Sequence, residues 1–143
     1  MIVVTGGAGC IGSALVWALN KRGITDIILV DATDHPEKEK NIASLNYFAL
    51  EKKDVFLNYI KNLNMPWPVD AIIHLGGCSS TIERDEAFLM ENNFNYTKHL
   101  ATYALNKDIR FIYASSAATY GAGENGFSDE VDLKTLTPLN LYG

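Results

Sequence analysis

Three glycines at a spacing of three, Gly6, Gly9 and Gly12, stand between the β-branched run Ile2-Val3-Val4 and a helical pattern, and an acid, Asp31, follows ~20 residues later. Residues of these types at these intervals suit a dinucleotide. Gly6 permits a tight turn, Gly9 lets the backbone come close to a pyrophosphate, and Gly12 lets the helix lie against the strand. The free N–H groups and dipole at the helix start attract the phosphates. Asp31 would then offer its carboxylate to the ribose hydroxyls. A second glycine pair, Gly76-Gly77, closes the apolar run Asp70–Leu75 and leads into Cys78-Ser79-Ser80. There the backbone can approach the other phosphate or ribose, although an ordinary strand-to-helix loop has the same look.

The elements that must position these residues follow from periodicity. Ile2–Val4, Ile27–Val30, Asp70–Leu75 and Ile109–Ala114 read as strands buried on both faces, and Leu45–Leu50 as a short strand. Helical spacing appears over Ser13–Arg22, through Ala14, Leu15, Ala18 and Leu19, with Gly23 placed to end the helix. It recurs over Asp54–Leu63 behind a candidate cap at Asp54, and over Glu86–Leu105 as one packed helix. Asn92 and Asn93 lie inside that last helix, where an amide is a poor helix former. They call for a packing or binding reason unless they face solvent. Ala32–Asn41 is polar and reads as a surface loop. Lys38 or Lys40 could meet a 2′-phosphate there, and a solvated charge run fits equally well. His74, inside a strand, is expected to be a core histidine with a satisfied ring. Ala122–Thr137 has no periodicity and reads as a surface excursion.

Alternating strands and helices with right-handed crossovers imply an α/β fold, a Rossmann-type doubly wound parallel sheet of about five strands. At 143 residues and nearly half apolar, the chain suits one domain. A net charge of -5 without any Lys/Arg cluster argues against nucleic acid, no apolar run reaches the length of a membrane span, and no metal site is expected. Without a signal peptide, and with Cys10 and Cys78 both in predicted loops, the protein is expected to be cytoplasmic with reduced thiols.

The chain resembles the extended short-chain dehydrogenase/reductase family, the NAD-dependent epimerases and dehydratases. The likeness lies in Thr5–Gly12 and in Ser115-Ser116 followed by Tyr120-Gly121. A narrower likeness to the branch that inverts C6″ of an ADP-heptose lies in Gly23–Ile27, Gly77–Thr81, Asn92-Asn93, Tyr113–Gly121 and Pro138–Gly143. The resemblance implies NADP as cofactor, with NAD possible, and a nucleotide-sugar substrate in lipopolysaccharide precursor synthesis. It implies cofactor contacts from Cys10, Ile11, Asp31, Ala32, Lys38, Lys53, Leu75, Gly76, Gly77, Cys78, Ser79 and Asn92, with Ser116 and Tyr142 as the catalytic pair. Cys10 stands where the family usually has Phe, and Ala32 where Asn is common. By the same resemblance residues 1–143 are the dinucleotide-binding domain of a homo-oligomeric enzyme, without the last strands, the substrate domain or the lysine four residues after the tyrosine. An unperturbed tyrosine, of pKa ~10, costs roughly 4 kcal/mol to ionise at neutral pH. This chain alone is therefore expected to be inactive. Another epimerase or dehydratase of the fold, or a non-catalytic dinucleotide-binding module, are the alternatives.

Overall fold

The computed structural model describes residues 1–32 and 35–143. Five parallel strands form one sheet: β1 (Ile2–Thr5), β2 (Ile27–Val30), β3 (Ala49–Glu51), β4 (Ala71–His74) and β5 (Arg110–Tyr113), in the order β3-β2-β1-β4-β5. The expected doubly wound sheet is present. Neighbouring residues of a strand face opposite ways, so the short apolar strands feed two cores. Val3, Ile28, Val30 and Ile72 pack with Phe56, Ile60, Tyr96, Leu100 and Ala104 on one face, while Val4, Ile27 and Leu29 pack with Val16, Leu19 and Ile42 on the other. Fully burying each of these aliphatic side chains stabilises the fold by about 1.5–3 kcal/mol. Continuous β-branched runs, without polar alternation, are what a sheet covered on both faces requires.

Helix α1 spans Cys10–Asn20, three residues earlier than its apolar spacing suggests. Its inward residues are Gly12, Val16 and Leu19, whereas Ala14 is exposed. Gly23 has φ +79, and the Ile24 N–H reaches back to the Leu19 carbonyl, closing the helix end as expected. Helix α2 (Pro36–Ile42) replaces the expected loop. Pro36 sits in its first turn, where a missing N–H does no harm, Glu37 and Glu39 face its positive end, and Lys40 its negative end. Helix α3 (Lys53–Lys61) begins one residue before Asp54, so Asp54 lies in the first turn and caps nothing; Val55 and Leu63 are exposed.

The expected single helix is interrupted. It runs as α4 (Glu86–Leu89), a π-helical turn over Met90–Asn95, and α5 (Tyr96–Asn106). Asp85 caps its start by accepting the Phe88 N–H at 2.9 Å. Phe88, Phe94 and Leu105 point outward, not into the core. Strand β5 borders the sheet within residues 1–143, where Ile112 is 51% and Tyr113 54% exposed, unlike the burial its apolar run predicts. An apolar run of that length reads the same at the edge as at the centre of a sheet.

Candidate functional site

Strand order reverses between β1 and β4, and both strands end in glycine loops. In an open parallel sheet that crevice is the ligand site. Gly6 has φ +68, and a Cβ there would meet the Gly76 nitrogen at 2.7 Å. A Cβ on Gly12 would meet the Gly6 carbonyl oxygen at 2.1 Å. These two glycines therefore serve the packing of the two loops and of α1. Gly9 differs: a Cβ would come no nearer than 3.2 Å to the Gly6 oxygen, so the space over it is largely open. The first intrahelical bond of α1 runs from the Ser13 N–H to the Gly9 carbonyl, 2.9 Å, and the N–H groups of Cys10, Ile11 and Gly12 precede it. The cradle fits a pyrophosphate.

Asp31 leaves β2 beside this loop. Its carboxylate accepts the Ala8 N–H at 2.9 Å, the Ala32 N–H at 2.7 Å and the Lys38 ammonium at 2.8 Å. Among the described residues Oδ2 takes only Ala8, which leaves it acceptor capacity for a ribose hydroxyl. Asp31 and Lys38, expected to serve two different groups of a ligand, are paired with each other. They line a small cavity of about 160 Å³ with Gly6, Ala32, Lys53, Asn92 and Tyr96. The Lys53 ammonium lies 4.8 Å over the Tyr96 ring and donates to the Asn92 amide oxygen. Burial holds its pKa below the ordinary lysine value, against the opposing pull of Asp54 and then Glu91. The Tyr96 hydroxyl is buried without a hydrogen-bond partner among the described residues, and burial, then Asp54 and Asp31, raise its pKa.

The asparagines inside the helix have their reason here. The Asn93 amide accepts the Cys78 N–H and donates to the Cys78 carbonyl, both at 2.8 Å, while Asn92 donates to Asn93 at 2.9 Å. The π turn thus clamps the β4 loop, as such turns often do beside functional sites.

On the other side of that loop lies a cleft of about 800 Å³. It is lined by Ile11, Leu75, Gly76, Gly77, Cys78 and Ser79, by Ser116 and Tyr142, and by the apolar Leu89, Phe94 and Leu141. Ser116 starts a 3-10 turn, Ala117–Tyr120, and its Oγ accepts the Ala118 N–H at 3.2 Å. The closing segment folds back on that turn, since a Cβ on Gly143 would meet the Ala118 oxygen at 2.6 Å. Ser116 and Tyr142 are brought to one cleft in this way. Gly9, Cys10 and Gly12 line neither cavity, and Lys40 is exposed outside both. Cys10 and Cys78 are free thiols.

The family model of the NAD dependent epimerase/dehydratase family matches residues 2–143. The chain belongs to that family. ADP-L-glycero-D-manno-heptose-6-epimerase of Nitratidesulfovibrio vulgaris (strain DP4) is 49% identical over 144 residues, which cover 100% of this chain and 45% of that protein. The protein of the same name from Fusobacterium nucleatum is 49% identical over 146 residues, 100% of this chain and 44% of its own. UDP-glucuronic acid 4-epimerase from Bacillus cereus, solved in complex with NAD, superposes with a TM-score of 0.80 at 27% identity, over 99% of this chain and 47% of that one. The chain therefore spans less than half the length of these relatives. Among the described residues no helix is long and apolar enough to cross a membrane.

For a member of the NAD dependent epimerase/dehydratase family, sequence reasoning misses several residues of this crevice. Tyr96 and Thr97 carry no signal beyond ordinary helix positions, although Tyr96 lines the small cavity and Thr97 the large one. Asn93 does carry a signal, as a poor helix former in mid-helix.

Proposed function

We propose that residues 1–143 form the dinucleotide-binding domain of a nucleotide-sugar epimerase that inverts C6″ of ADP-D-glycero-D-manno-heptose in lipopolysaccharide precursor synthesis. One observation carries the reading: Ser116 and Tyr142 line the same cleft as the β4 glycine loop. The names of the relatives at 49% identity support the substrate. The region of those relatives beyond the match would hold the sugar and complete the homo-oligomeric enzyme. Free thiols at Cys10 and Cys78 suit the cytoplasm.

In this reading the Gly6–Gly12 loop, with the N–H groups of Cys10 and Ile11, holds the pyrophosphate, and Asp31 with Ala32 the adenosine ribose. Lys38 and Lys53 lie near a 2′-phosphate, and Leu75–Ser79 with Asn92 line the remainder of the nucleotide. When bound, the dinucleotide would supply a hydride acceptor for the sugar carbon and a donor to its opposite face. Ser116 donates a hydrogen bond to the sugar oxygen. Tyr142, as phenolate, takes the hydroxyl proton and later gives it back. No net redox change results.

The Asp31–Lys38 pair supports NADP over NAD, because the ammonium offsets the carboxylate that would otherwise repel a 2′-phosphate. Calorimetric titration of the chain with NADP⁺ and NAD⁺ tests the binding half. NADP⁺ is expected to bind more tightly, and Lys53→Met to remove that preference. Equal affinities would overturn the cofactor assignment, and binding of neither would overturn the site. Inversion at C6″ of the ADP-heptose, followed by NMR in the full-length protein and lost in Tyr142→Phe, tests the chemistry; inversion at C4 of a UDP-sugar instead would refute it.

A further inference from the structure

His74 is 4% exposed and lies at the end of β4, between the two glycine loops and the π turn. Its Nδ1 is 2.5 Å from the Thr5 hydroxyl and its Nε2 is 2.8 Å from the Thr97 hydroxyl. The neighbours fix the directions. Thr97 gives its one proton to the Asn93 carbonyl at 2.5 Å, so it can only accept from His74, and Nε2 must carry the hydrogen. Thr5 accepts the Gly76 N–H at 3.2 Å, which leaves its own proton for Nδ1. The chain of donors then runs without a gap from the Gly76 N–H through Thr5, His74 and Thr97 to the Asn93 carbonyl. Asn93 in turn holds both backbone groups of Cys78.

The geometry points to His74 as a positioning residue: as the neutral Nε2–H tautomer it sets, through Thr5 and Thr97, where the β4 glycine loop lies against the β1 loop and the π turn. The inference rests on the dinucleotide reading of the crevice only for its effect on binding. Gly6 and Gly76 are close enough that even one Cβ would not fit between them. A small error in the bond that seats Gly76 therefore displaces the surface a ligand meets. The imidazole lies at the buried wall of the larger cleft and acts on the two loops through Thr5 and Thr97. Burial, and then the Lys53 ammonium, lower its pKa to about 4, which keeps the ring neutral at physiological pH.

Three measurements test this on the 143-residue chain. In ¹⁵N-histidine-labelled protein, long-range ¹H–¹⁵N correlations should show one of the three histidines as a fixed Nε2–H tautomer near neutral pH. An Nδ1–H pattern or an imidazolium at that site would overturn the proposal. Thr97→Val removes the acceptor and keeps the volume; it should weaken NADP⁺ binding about tenfold, shift the Gly76 and Cys78 amide resonances, and disturb the His74 tautomer. Thr97→Ser restores the hydroxyl and should return all three to within about twofold of wild type, which a purely structural loss would not. Thr97→Val with wild-type amide shifts and wild-type affinity would refute the positioning role. Should the wild type bind no dinucleotide, the functional reading fails, while the tautomer and the amide shifts still decide the role of His74.

Discussion

The two ends of the crevice are built differently. Around the β1 and β4 loops nearly every polar group is spoken for: Asp31 by three donors, His74 on both nitrogens, Asn93 on both amide atoms. Around Ser116 and Tyr142 the supports are short-range: the Ser116 Oγ accepts the Ala118 N–H, the Ser116 carbonyl accepts the Thr119 hydroxyl and N–H, and the Asn140 amide oxygen accepts the Gly143 N–H, in a chain segment folded against a 3-10 turn. The first end is fixed by backbone geometry and tolerates little change. The second presents its hydroxyls on loops, where loss of a side chain disturbs chemistry and leaves the fold alone.

Substitutions should divide along the same line. Gly12→Ala places a methyl group on the Gly6 oxygen, and the turn must move to admit it; a loss of about 3 kcal/mol in urea unfolding is expected, with loss of dinucleotide binding. A near-neutral result would remove the distinction between the two ends. Next is acid. The folded-state pKa of His74, about 4, lies below its unfolded value of 6.5, so between those values the unfolded chain binds a proton that the native chain does not. Stability is then full above about pH 6.5 and is lost as pH falls towards 4, by on the order of 3 kcal/mol. The difference between wild-type and His74→Phe unfolding curves across that range isolates the contribution, and a constant difference would contradict it.

Tyr96→Phe sharpens the comparison from inside the well-bonded end. Among the described residues its hydroxyl has no partner to lose, so stability should hold or rise by up to about 1 kcal/mol, and a fall would reveal a bond made in solution. Smallest of all, Tyr142→Phe and Ser116→Ala should change unfolding free energy by no more than about 0.5 kcal/mol while abolishing the proposed C6″ inversion in the full-length protein. A large loss of stability in either would show that the second end is as tightly built as the first.

How much of this is legible in the sequence follows the same division. The β1–α1–β2 unit reads directly, because a β-branched run, glycines at fixed offsets and an acid at the next strand end are all local signals. Asp31 and the glycine loops sit where that pattern puts them. The interruption at Met90–Asn95 is not legible, since a π turn has no composition of its own; only the two asparagines hint at it. Helix α2 has too little apolar spacing to declare itself, and its start follows two residues outside those described. The pairing of Lys38 with Asp31, like the chain through His74, joins residues whose contact only the fold decides.

The π turn has a consequence for how the sequence can vary in length. It accommodates one more residue per turn than an α-helix does, so it works as a phase shifter between α4 and α5. Deleting a single residue from Met90–Asn95 would restore regular α winding and leave everything after it in the same phase, because the π turn absorbs the roughly 100° that one α-helical residue adds. Leu100 and Ala104 would stay in the core and Leu105 outside it. A one-residue gap is therefore tolerable to the core here and costs only the turn that clamps the β4 loop, so alignments of this helix should admit a gap at Met90–Asn95 and nowhere else along it.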